Sequence, residues 1–159
     1  MPQTIITKEM LETAWEVTRE ALETLHRNGF ANNNNGHIVV LSPIDGTVIF
    51  EESINDDTPK KYLDFAYAKS QVSWREGKPS RVVQQEATFL YQDGDVKFGG
   101  SSVRDGFVVA FSGVQSVYDE MLSEVFISAI VAMCRDEMTK PDGILADESS
   151  WIGGESFAP

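Results

Sequence analysis

The chain has one cysteine, Cys134, and only two histidines, His26 and His37, in 159 residues. A lone cysteine forms no internal disulfide, so nothing in the sequence calls for an oxidising compartment. Two histidines with no HExxH or CxxC spacing give no zinc site of the usual composition. GxSxG, P-loop and GxGxxG patterns are missing too, and no nucleophile, base and acid fall into a specific motif. Positive charge is scarce: 13 Lys and Arg stand against 25 Asp and Glu, a net charge of −12. Such a surface repels phosphate backbones and anionic lipid, which excludes nucleic acid as a primary partner. No apolar run reaches the length of a bilayer span, and the start, MPQTIITKEM, has neither the basic region nor the apolar core of a signal peptide. The expected location is therefore cytoplasmic.

What is present reads as one α+β domain over residues 1–139 with a tail over 140–159. Thr7 is placed to cap a first helix whose apolar residues Leu11, Ala14, Trp15, Leu22 and Leu25 recur every three or four positions, and Asn28-Gly29 ends it. Asn32 to Asn35 is a polar tract expected to form a mobile surface loop. Two strands follow, His37 to Leu41 and Thr47 to Phe50, joined through Pro43 and Asp45-Gly46, and then a polar, acidic stretch from Glu51 to Asp57. Thr58 as cap and Pro59 as first residue begin a second helix, with Tyr62, Phe65, Ala66, Lys69, Val72 and Ser73 on its inward side. Gly77 and Pro79 stop it, and Ser80 is placed to cap a shorter third helix through Val82, Val83, Ala87 and Leu90.

The stretch DVKFGGSSVRDGFVVAFSGVQSVYDE, from Asp95 to Glu120, carries the most information. An extended run starting at Val96 to Phe98 breaks at Gly99-Gly100, where a strand bulges or another group approaches the backbone closely. Arg104-Asp105-Gly106 reads as a turn, and Phe107 to Phe111 as a buried strand paired with the run before it. Ser112-Gly113 closes that strand. Ser116 as cap, with Asp119 three residues on, opens a last helix from Val117 to Met138. Cys134, within the apolar Ile130 to Cys134, is expected to be a buried core thiol.

These residues resemble the GlcG/HbpS-like haem-binding domains, a family that includes the C-terminal domain of PduO-type corrinoid adenosyltransferases. The resemblance rests on Gly99-Gly100, Asp105-Gly106, Ser112-Gly113 and Asp119-Glu120, on Ala66, Ala68 and Lys69 in the second helix, and on Gly77, Pro79 and Ser80 after it. The chain departs from the pattern at Ser101-Ser102, where the family carries Val-Pro, and at Ser42-Pro43, inserted into the first strand-turn. The element order αββααββα argues α+β from the sequence alone. The resemblance implies a profilin-like sandwich.

Function is open between two classes. The resemblance implies an oligomeric module binding haem or another tetrapyrrole near Gly99-Gly100 and the second helix, with Phe98 beside that pair. The alternative is an enzyme or accessory subunit for a small organic acid, using Lys69, Arg104 and His37 without haem. His37 begins a strand and is either an edge residue or an axial haem ligand. Lys69 and Arg104 are the cationic candidates for a carboxylate, Lys69 from an inward-leaning face and Arg104 from a turn where an ion pair with Asp105 is the plainer reading. Trp151 and Phe157 in the tail point to docking on a neighbouring subunit of a homo-oligomer.

Overall fold

The computed structural model describes residues 4–140. Its elements run α1 (Lys8–Arg27), β1 (His37–Leu41), β2 (Val48–Ser53), α2 (Lys60–Glu76), α3 (Ser80–Glu86), a 3-10 turn (Thr88–Leu90), β3 (Ser101–Arg104), β4 (Phe107–Ser112) and α4 (Ser116–Thr139). The four strands form one antiparallel sheet in the order β2-β1-β4-β3. The α+β order read from the sequence is the observed one. Docking by Trp151 and Phe157 lies outside the described residues.

Alternation along the strands sorts the core into two layers. Ile38, Val40, Val109 and Phe111 turn to one face, where α1 and α4 supply Trp15, Leu22, Leu122, Phe126 and Ile130. Val39, Leu41 and Val108 turn to the other and meet Ala66 of α2. The fully enclosed side chains, Phe111 and Phe126 among them, each contribute about 1.5–3 kcal/mol by leaving water. Both central strands are buried along their whole length, so the sheet is covered on two sides.

Local signals set most boundaries. The Thr7 hydroxyl accepts from Met10 N at 3.1 Å, and Thr7→Ala should lower stability by about 1 kcal/mol in urea unfolding, since that N–H then has no partner in the helix. Asp105 and Gly106 both take positive φ, 50° and 86°, as a two-residue hairpin turn requires. Gly77 ends α2 in the left-handed conformation at φ 68°.

Several boundaries differ from the sequence expectation. β2 runs on to Ser53, through residues expected to lie beyond the strand, because Glu51, Glu52 and Ser53 continue the pairing with Val39, Ile38 and His37 of β1. Pro59, not Thr58, occupies the N-cap position of α2, and the Thr58 hydroxyl instead lies within hydrogen-bond distance of two acceptors, Asn35 Oδ1 and the Asn55 carbonyl. Pro79 caps α3, leaving Ser80 inside it to exchange hydrogen bonds with Ser101. Gln115 caps α4, with Ser116 already helical. The run at Val96 to Phe98 forms no strand, since pairing with β4 begins only at Ser101. The Asn tract is stitched down: Asn33 Nδ2 donates to the Gly113 carbonyl at 2.7 Å, and Asn32 N to Gln115 Oε1 at 3.0 Å. Cys134 is only partly buried, its Sγ 4.0 Å from Met10 Sδ, and burial pushes the thiol pKa up.

Candidate functional site

His37, at the first position of β1, is 4 % exposed on the α2-facing side of the sheet. Register places Ser53 of β2 and Ser112 of β4 directly opposite it on either side. Its Nδ1 lies 2.8 Å from Ser53 Oγ and its Nε2 3.2 Å from Glu51 Oε2. Glu51 and Ser53 are two apart in a strand, so both lean to the face that His37 occupies. A carboxylate accepts and does not donate, so in the neutral ring Nε2 carries the proton and Nδ1 receives the Ser53 hydroxyl. The sequence reading missed this trio. Its only signal was the alternation of Glu51 and Ser53, which an acidic, turn-like context disguised.

Lys69 is 2 % exposed in α2 and reaches the junction between β4 and α4. Its Nζ donates to the Phe111 carbonyl at 3.2 Å and to Asp119 Oδ2 at 3.1 Å. The other Asp119 oxygen accepts from Val114 N at 3.0 Å, so this carboxylate satisfies the loop entering α4 from within and does not close a capping box at the helix surface. Burial pushes the Asp119 carboxyl up to about 6, against the opposing pull of Lys69 and of the Val114 and Gly113 amides. Burial likewise pulls Lys69 below its usual value, against the attraction of Asp119. Lys69 is thus neutralised inside the protein and presents no charge to a carboxylate ligand.

The glycine pair meets protein atoms. Gly100, at φ 135°, has Lys69 Nζ, Asp119 Cβ and the Phe111 carbonyl where a side chain would stand. Gly99 has Arg81 Cβ in the equivalent place. Ser123 Oγ donates to the Gly100 carbonyl at 2.6 Å and accepts from Phe111 N at 3.0 Å, locking the approach. Just before the pair, Phe98 stays 52 % exposed with its ring edge-on to Phe65 of α2, centroids 5.9 Å apart. One helical turn earlier on the same flank, Lys61 Nζ stands 5.4 Å from the Tyr62 ring centre.

Arg104 lies away from these groups. Its guanidinium donates to Ser128 Oγ of α4 at 3.2 Å, in place of the ion pair expected with Asp105. Arg104 pairs with Phe107 and His37 with Ser112, at opposite ends of β4, about 17 Å apart at the strand rise. His37, Lys69 and Arg104 therefore do not converge on one reacting centre. No group of three His, Cys, Asp or Glu able to hold a metal occurs among the described residues. No helix among them is long and apolar enough to cross a membrane.

No protein-family model matches the sequence, and no curated protein matches it. Solved structures do match. The chain is similar to the crystal structure of a PduOC:heme complex, with a TM-score of 0.59 and 18 % identity over 80 % of this chain and 96 % of that one. It is also similar to Klebsiella pneumoniae protein ORFY, described by the family model DUF336, with a TM-score of 0.57 and 16 % identity over 82 % and 95 % of the two chains. A double mutant of Streptomyces reticuli HbpS gives a TM-score of 0.57 and 16 % identity over 82 % and 90 %. The fold is theirs. It is also the fold that the sequence resemblance implied, and it places Gly100, Lys69 and Asp119 in one contact.

Proposed function

We propose that this chain is a binding module for a flat, carboxylate-bearing ring system of the tetrapyrrole class, held by stacking and ion pairing. The observation that carries this reading is the open ledge of Phe98 on Phe65, which the chain leaves uncovered beside Gly99-Gly100 while it packs the glycines themselves shut. A ring laid on such an edge gains about 0.5–1.5 kcal/mol beyond the area it buries. Lys61 supplies a nearby cation for an acid group, the part that Lys69 is too occupied to play. The likeness in fold to a haem complex supports the ligand class. Phe98 is half open to solvent in the single chain, and the homo-oligomer expected from the sequence is the arrangement that would enclose the ledge.

An iron bond from His37 does not fit. Its Nε2 proton faces Glu51, its Nδ1 lone pair is taken by Ser53, and the ring is almost wholly covered. The proposed binding therefore depends on the ring and its acid groups, with no contribution from His37. Titration of the protein with haemin and with iron-free protoporphyrin, followed by absorbance and fluorescence quenching, tests this. Both should saturate with similar affinity, Phe98→Ala should weaken both about tenfold, a loss of about 1.4 kcal/mol, and His37→Ala should leave both nearly unchanged. Failure of both to saturate would overturn the tetrapyrrole reading. Saturation by haemin alone, lost in His37→Ala, would restore His37 as an iron ligand and overturn binding without it.

A further inference from the structure

We infer that Ser53 is an activated nucleophile, with His37 as its base and Glu51 fixing the base's tautomer, and that it takes an acyl group from an activated ester. The inference rests on a different part of the molecule from the aromatic ledge and stands or falls without it.

Serine is a weak nucleophile until a neighbouring base takes its proton. Here the base lies 2.8 Å from the hydroxyl, within the reach that proton transfer requires. The third group, Glu51, lies 3.2 Å from the far nitrogen and orients the ring, as the acid does in a Ser-His-Asp triad. The two nitrogens are exchanged relative to that template: Nδ1 serves the hydroxyl and Nε2 the carboxylate. The sequence arrangement suits it, because Glu51 and Ser53 share one face of one strand and His37 is the cross-strand partner of Ser53.

Access and rigidity are divided sensibly among the three. His37 is held in the layer between sheet and α2, whereas Glu51 is exposed with 58 % of its side chain accessible and Ser53 is half-buried. Ser53 is only partly covered and the neighbouring Glu51 side chain on the same face is open to solvent, so an acyl donor can approach Ser53 along the face beside Glu51. The chemistry balances within the named groups. Ser53 Oγ bonds to the ester carbonyl carbon as its proton passes to His37 Nδ1. The carbon–oxygen bond to the leaving group then breaks, and that oxygen takes the proton back from Nδ1. An acyl-Ser53 and a free alcohol result. Water, using the same base, returns the hydroxyl and releases the acid.

A fluorophosphonate probe tests the nucleophile directly, since Ser53 Oγ displaces fluoride from phosphorus with the proton again passing to Nδ1. The full chain should become labelled at Ser53 in peptide mass spectra, and Ser53→Ala should lose that label. His37→Ala should slow labelling about 100-fold, the lower end of what a positioned base supplies. Glu51 is exposed, so Glu51→Gln keeps the fold, checked by circular dichroism, and should slow labelling at least tenfold. An unlabelled Ser53 would overturn the inference. So would a rate at Ser53 no faster than at other exposed serines, or one unchanged in a folded Glu51→Gln protein.

Discussion

Lys69→Met should lower the free energy of unfolding by about 3–5 kcal/mol at pH 7, read from urea titration, because it leaves the buried Asp119 carboxylate without its cation. Replacing both partners by apolar residues of similar volume, Lys69→Met with Asp119→Leu, should recover part of the loss. It cannot recover all, since the Val114 amide would then lose its acceptor, at a cost of about 1–3 kcal/mol. The pH dependence follows from the direction of the Asp119 shift. Its pKa is raised above the unfolded value near 3.8 to about 6, so its contribution to stability is fully present below pH 3.8 and is lost as pH rises through about 6. Without Lys69 the carboxyl rises further, and the variant's deficit should narrow as pH falls from 7 towards 5. A deficit under about 1 kcal/mol, or one equal at both pH values, would show that the pair is not the tie between α2 and α4 described above.

Gly100→Ala should cost about 2–4 kcal/mol, combining backbone strain with overpacking. Its φ of 135° is one that residues with a side chain rarely adopt, and the new methyl would stand 2.6 Å from Lys69 Nζ, 2.9 Å from Asp119 Cβ and 3.0 Å from the Phe111 carbonyl. The lysine head could yield, but the carbonyl belongs to the central strand and cannot. Gly106→Ala is the control. Its φ of 86° is also positive, yet nothing lies within 4 Å of the added carbon, so it isolates the strain alone. Thermal unfolding of the two variants side by side should show Gly100→Ala as clearly the more damaging; equal losses would mean that the close packing at Gly100 has no energetic weight.

Periodicity and turn chemistry make much of the fold legible in the sequence itself. His37 to Leu41 is a dense apolar run between turn signals and falls on β1 residue for residue. Thr7 marks the start of α1, and Asp105-Gly106 marks the turn between the last two strands. β2 was harder, because an edge strand shows water its polar residues, and Glu51-Glu52-Ser53 therefore looks like loop. The misreading hid Ser53 and Glu51 as partners of His37. Asp119 misled for a different reason: three residues after a serine it has the spacing of a capping box, yet only the third dimension brings Lys69 to it. Gly99-Gly100 announced a close approach correctly. What approaches is the protein itself.

The strand order has a consequence in time. Each hairpin, β1 with β2 and β3 with β4, joins segments that are near neighbours in sequence and can meet quickly. The central pair, β1 with β4, instead brings Val39 beside Ala110, roughly seventy residues away along the chain, and α1 must likewise wait for α4. Each half has a helix of its own to lay on its hairpin, α2 on β1 and α4 on β4, but the shared core closes only when β1 meets β4, so the slow event is the joining of two incompletely buried halves. A ribosome releasing this chain would hold β1 without β4, and α1 without α4, until the last strand and helix have emerged.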